Sequence, residues 1–135
     1  MNKNKTHFLN QNHNRMNILL KFEELGQFLL SIFLFSLLPY TWWIFPACLL
    51  LPDLSMIGYA FNPRIGAWMY NLFHHKLMGI AVYGIGFFLT NPLLMLIGII
   101  LFGHSALDRI FGYGLKYPDN FKHTHLGWIG QGNTR

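Results

Sequence analysis

Charge is scarce in this chain: Asp, Glu, Lys and Arg make up 11% of its 135 residues, against about 25% in soluble globular domains. Negative charge is the scarcer sign, with 5 acidic residues against 10 Lys and Arg. Cysteine is nearly absent. The single Cys48 excludes an internal disulfide and a thiolate-rich metal site, and its apolar neighbours suit a buried, inert thiol. A basic stripe interleaved with stacking aromatics is also missing; the cations are scattered and most lie toward the two ends, so the excess positive charge does not point to nucleic acid. Apolar residues, by contrast, are abundant: 53% of the chain without counting glycine, with 17% aromatic. A water-soluble domain this small buries too little of its surface to hide that much apolar material. The composition therefore predicts one domain embedded in a membrane, with the lipid bilayer as its main partner.

Punctuation along the chain divides it. Residues 1–22 are rich in Asn, Lys and His and predict a polar, mobile N-terminal tail. They are too long and polar for the n-region of a signal peptide, and no small-x-small cleavage site follows the first apolar block. From Leu25 to Leu107 the only charged residues are Asp53, Arg64 and Lys76. Turns at Pro39-Tyr40-Thr41, Asn62-Pro63-Arg64 and Thr90-Asn91-Pro92 separate four apolar stretches, Leu25–Leu38, Trp42–Phe61, Ile65–Leu89 and Leu93–Phe111. The first must extend back toward Met16, because Leu25–Leu38 as a helix covers only about 21 Å of a hydrocarbon core about 30 Å thick. Pro46 should bend the second.

The expectation is an all-α membrane protein: a four-transmembrane-helix bundle over residues 23–111, followed by a cytoplasmic segment, 112–135, folded over the bundle end. Lys3, Lys5, Arg15, Lys21, Arg64, Arg109, Lys116, Lys122 and Arg135 all fall on one side of such a bundle. By the positive-inside rule both termini are then cytoplasmic. Tyr40, Trp42 and Trp43 would form the outer aromatic belt, and Tyr59, Trp68, Tyr113 and Tyr117 the inner one. Gly79, Gly84, Gly86, Gly98 and Gly103 would allow close helix approach.

Ionisable residues inside membrane spans are costly, so each is a candidate for function. Asp53 lies ten residues before Pro63 and His74 ten after Arg64, so antiparallel spans place both about 15 Å above the inner turn. His104 and Asp108, four apart, share one helix face, whereas His74 and His75 point about 100° apart, so only one of them can aim at a common centre. Asp53, His74, His75, His104 and Asp108 are thus candidate ligands for Zn, Mn or Fe, with catalysis as a metal-dependent hydrolase in view. Lys76 is placed to receive an anionic head group and Asn71 to orient a histidine. Glu23 and Glu24 reach the edge of the same inner half, while His123 and His125 read as solvated. Two rival expectations stand: a redox or carrier protein with haem between His104 and His74 or His75, and a non-enzymatic membrane subunit.

The stretches Leu51-Pro-Asp-Leu-Ser-Met-Ile-Gly-Tyr59, Tyr70-Asn-Leu-Phe-His-His75, His104-Ser-Ala-Leu-Asp-Arg-Ile-Phe-Gly-Tyr-Gly-Leu-Lys-Tyr117 and Phe121-Lys-His-Thr-His-Leu-Gly127 resemble a family of small bacterial membrane proteins described as domain of unknown function 4260. The resemblance implies a compact multi-pass protein of the bacterial cytoplasmic membrane and supplies no activity. A looser similarity runs to inner-membrane proteins described as metal-dependent hydrolases, matched by Pro52-Asp53, His74-His75 and His104 with Asp108. The chain departs from that pattern at Leu54-Ser55, where a further acidic residue and a His are usual, and in having no His-Arg-Gly.

Overall fold

The computed structural model of the chain describes residues 3–131. Helix α1 runs from Lys3 to Ser36. No proline or glycine interrupts it before Gly26, so the expected mobile tail is instead the first half of a continuous helix, almost wholly exposed as far as Phe22. From Glu24 onward one face turns inward: Glu24, Gln27, Phe28, Ser31, Leu34, Phe35 and Leu38 are buried or half-buried, the spacing of a single helical stripe. Pro39 cannot continue the hydrogen-bond ladder, and the helix ends just before it.

The second apolar stretch is not one helix. It forms a short α2, Ile44–Cys48, and then a 3-10 helix, Leu51–Ala60. Its three residues per turn eclipse side chains at i and i+3. Leu51, Leu54 and Ile57 therefore line up outward and exposed, while Pro52, Ser55 and Gly58 line up inward and buried. The third stretch is also broken, at His75, into α3, Pro63–His74, and α4, Lys76–Phe88. His75 has extended backbone angles, and its Nδ1 accepts from Leu77 N at 3.3 Å to begin α4. The fourth stretch is α5, Pro92–Ile110. Among the described residues α5 is the one helix long and apolar enough to cross a membrane by itself.

Both Asn-Pro turns work as helix starts. Asn62 Oδ1 accepts from Ile65 N at 2.8 Å, and Asn91 Oδ1 accepts from Leu93 N and Leu94 N at 3.0 and 3.2 Å. Each is followed by proline in the first helical turn, where its missing N–H costs nothing. Asn91→Ala is expected to lower stability by about 1 kcal/mol, read as a depressed thermal midpoint, with Asn91→Asp close to wild type.

Helix α5 is the central element, packed against α1 on one side and α4 on the other. Phe35, Leu38, Phe45, Leu96, Ile99 and Ile100 form the apolar core toward the α5 N-terminal half, with Phe35 and Phe45 ring centroids 5.3 Å apart. Toward the other end, α3 lies against the 3-10 helix. Residues 112–131 fold back over α3 and carry a two-stranded hairpin, β1 His123–Thr124 and β2 Gly127–Trp128. Gly112, at φ +86°, makes the reversal after α5, a conformation that only glycine adopts freely. The chain is thus predominantly helical, as its apolar patterning requires.

Candidate metal centre

Four side chains from three elements meet at the C-terminal half of α5. Asp53 comes from the 3-10 helix, His74 from the last turn of α3, and His104 and Asp108 from successive turns of α5. One ligand atom from each lies within 4.8 Å of every other. His74 Nε2 and His104 Nε2 are 3.0 Å apart. Asp53 Oδ1 lies 3.3 Å from the first and 3.2 Å from the second, and Asp108 Oδ2 is 3.5 Å from both. Both imidazoles are buried, Asp108 is 14% exposed, and Asp53, at 39%, is the most exposed of the four.

The outer nitrogens decide the chemistry of the inner ones. His74 Nδ1 is 2.8 Å from Tyr70 O, and His104 Nδ1 is 2.7 Å from Leu49 O. A carbonyl oxygen only accepts, so both Nδ1 atoms carry the proton and donate. In the neutral rings both Nε2 atoms then present lone pairs to each other and to two carboxylates. Four acceptors converging on one point repel unless a cation occupies it, and a carbonyl bond on the far nitrogen is the usual way an imidazole ligand is oriented. The group can therefore hold a metal ion.

A surrounding layer holds these ligands. Tyr70 Oη donates to Asp108 Oδ2 at 3.0 Å, and its ring stacks on His74 with centroids 3.7 Å apart. Arg109 Nη2 donates to His74 O at 3.3 Å, satisfying a carbonyl freed by the break between α3 and α4, and its Nη1 donates to Tyr113 O at 2.6 Å. Lys116 Nζ donates to Phe121 O at 2.9 Å and sits 4.7 Å from the Tyr70 ring centroid; burial lowers this ammonium's pKa below its ordinary value.

Of the residues singled out by the sequence, Asp53, His74, His104 and Asp108 come together. His75 does not: it is exposed and caps α4. Lys76 also turns away, paired with Glu24 of α1. Asn71 orients no histidine; its side chain exchanges two hydrogen bonds with the Lys116 backbone, at 2.8 and 2.7 Å, and so pins the C-terminal segment to α3. His123 donates to Asp119 at 2.7 Å and stacks on Trp128, remote from the four ligands. Tyr70 and the Leu49 carbonyl are the participants that sequence reasoning missed. The i, i+4 spacing of Tyr70 and His74 was a usable signal; the carbonyl left none.

Fold and site together define a small, mostly helical protein with a buried two-histidine, two-aspartate centre. The profile of the family described as domain of unknown function 4260 matches residues 17–129, and the chain belongs to that family. No curated protein and no solved structure matches it.

Proposed function

We propose that the protein is a metal-dependent hydrolase of the bacterial cytoplasmic membrane. Its apolar stretches would cross the bilayer four times, and both termini would be cytoplasmic. The membrane reading is supported by exposed apolar side chains along the whole body, such as Leu54, Ile57, Phe61, Trp68 and Phe88, which water would penalise and lipid would not. Residues of α1 (Asn17 to Glu24) and of the C-terminal segment (Leu115 to Leu126) line one cleft, so these two segments lie on one side of the helical body, in keeping with cytoplasmic termini. The break at His75 fits this setting, because irregular backbone at membrane depth is tolerated where it lines a polar site.

The observation that carries the hydrolase reading is the convergence of four acceptors with both Nδ1 protons committed elsewhere. The five nitrogen–nitrogen and nitrogen–oxygen separations given above span 3.0 to 3.5 Å, and all four donor atoms lie within 4.8 Å of one another, close enough to share one ion. Mixed imidazole and carboxylate donors suit Zn, Mn or Fe. Such an ion, when bound, supplies the Lewis acidity that polarises a substrate oxygen and acidifies a water.

The chain's own groups would do the rest. Tyr70 and the two backbone carbonyls would hold the ligands in place, and Asp53, the most exposed of the four, would take the proton of the attacking water. As the water oxygen bonds to phosphorus or carbonyl carbon, the bond to the leaving oxygen breaks and the proton passes to that oxygen. A haem would have to pass its macrocycle between nitrogens 3.0 Å apart that two carboxylates already flank.

Elemental analysis of the detergent-purified chain tests the reading. About one Zn, Mn or Fe per chain is expected, together with chelator-sensitive cleavage of a chromogenic phosphodiester or carboxylic ester. Asp53→Asn should lower both metal content and turnover. Tyr70→Phe should weaken metal binding by about 10- to 100-fold in chelator competition, as loss of an outer-shell partner does. A folded wild-type protein that binds none of these metals, even when they are added, ends the proposal.

A further inference from the structure

A cleft of about 420 Å³ lies beside the four-ligand centre, lined by Lys21 and Glu24 of α1, His75 and Lys76 at the start of α4, Arg109 and His125. His74 and His75 are consecutive, as are Asp108 and Arg109; in each pair the first residue belongs to the centre and the second lines the cleft, where Arg109 also holds the His74 carbonyl. Consecutive Cα atoms are about 3.8 Å apart, so the two sites share a wall.

The cleft has the opposite polarity from the centre. His75 Nδ1 accepts from Leu77 N, and His125 Nδ1 accepts from Leu115 N at 2.8 Å. A neutral ring whose Nδ1 accepts carries its proton on Nε2, so both imidazoles keep a free donor. Lys21, Lys76 and Arg109 add three cations against the single carboxylate of Glu24, which pairs with Lys76. The start of α4, a 13-residue helix, contributes the positive end of its dipole. Every ionisable side chain lining the cleft except Glu24 is thus a donor or a cation.

We propose that this cleft binds a phosphate-type anion, with Lys21, Lys76 and Arg109 as its cationic contacts and His75 and His125 as neutral donors. Glu24 holds Lys76 in the anion's absence and yields it when the anion enters. The chemistry is shared by a phospholipid head group and by free phosphate. The inference stands on the cleft's own donors and requires no metal. Next to the centre, such an anion would sit where a phosphorylated substrate of the proposed hydrolase is anchored.

Calorimetric titration of the full chain in a neutral detergent tests it, with inorganic phosphate in one arm and dihexanoyl phosphatidic acid in the other. Saturable binding in either arm supports the inference. Comparable affinities indicate a soluble phosphate ligand, and binding of the lipid alone indicates a head group. Lys21→Glu, on an exposed stretch of α1, should weaken binding at least tenfold. Glu24→Gln should tighten it severalfold, because Lys76 is released; a carboxylate with a purely structural role would not produce that gain. The titration is repeated on Asp53→Asn and His104→Ala, which alter the centre and leave the cleft lining intact. Unchanged affinity is expected there. If phosphate binding disappears together with the metal, the anion sits on the metal, and the cleft inference falls while the metal reading stands. Absence of binding in both arms, or indifference to Lys21→Glu and Glu24→Gln, overturns the inference whatever the metal content.

Discussion

Chelation of the wild-type protein is expected to lower its thermal midpoint by several degrees, and Asp108→Asn is expected to abolish that effect. Without a cation, His74 Nε2, His104 Nε2 and the carboxylates of Asp53 and Asp108 are acceptors held within 4.8 Å of one another. Among the described residues the Tyr70 hydroxyl is the only donor seen on this group besides the two committed Nδ1 protons. The emptied centre must take up a proton or spread apart, and a buried polar group left without its partner costs about 1–3 kcal/mol. A metal at about 100 times its dissociation constant stabilises the folded state by about 2.7 kcal/mol.

Asp108 Oδ2 faces both Tyr70 Oη and the two Nε2 atoms; in Asp108→Asn an amide nitrogen at that position can donate one proton to an imidazole Nε2 and the other to Tyr70 Oη, which accepts as well as donates. The variant should therefore melt above metal-free wild type and below metal-loaded wild type, and added metal should no longer shift its midpoint. His104→Ala should lose stoichiometric metal altogether. A wild-type midpoint indifferent to chelator and to added Zn, Mn and Fe would reduce the four residues to a hydrogen-bonded structural cluster.

Gly98→Val is expected to cost more than any other single change in the helical body. A Cβ built at Gly98 falls onto the Tyr83 backbone nitrogen and lies 2.7 Å from Gly79 O. Reciprocally, one at Gly79 lies 2.7 Å from Phe102 N and 2.9 Å from Gly98 O, and one at Gly86 lies 2.6 Å from Met95 N. The obstacles are backbone atoms, which cannot rotate aside, so α4 and α5 would have to separate along their whole contact. Overpacking of a tight core costs about 1–3 kcal/mol where side chains can adjust; here ~3 kcal/mol or more is expected, with folded protein lost from size-exclusion profiles. Gly84 is the control, since nothing lies within 4 Å of its Cβ position. Gly84→Ala should be neutral or stabilising by up to ~1 kcal/mol, because alanine is the better helix former. Equal loss for Gly84→Ala and Gly98→Val would remove the close-packing account.

Much of this site was legible because helix geometry is local. His104 and Asp108 share a face by spacing alone, and residues equally far from the Asn62-Pro63 turn were bound to meet if the flanking segments ran antiparallel. That meeting survived an error in helix type: Asp53 rides a 3-10 helix, which rises about 2.0 Å per residue rather than about 1.5 Å, yet it still reaches His74. The period-three run Leu51, Leu54, Ile57 signalled the tighter helix. Of the five glycines read as packing residues, Gly79, Gly86 and Gly98 lie at the α4–α5 contact, Gly103 faces Ser31 of α1, and Gly84 faces open space. Sequence shows where a side chain is missing; only the neighbouring helix shows whether the gap is used.

By itself the sequence determined a scarcely charged, mostly helical chain, with helix starts at two Asn-Pro pairs and a short list of polar residues set among apolar ones. Each of these follows from composition or from contacts within a few residues. Tertiary structure decided which of two adjacent histidines enters the centre, because the break that turns His74 inward and His75 outward is held by Arg109 from another helix. It also decided that both inner nitrogens are acceptors, because the carbonyls of Tyr70 and Leu49 stand behind the two rings. Backbone carbonyls carry no residue identity, so where they point is settled only when the chain has folded.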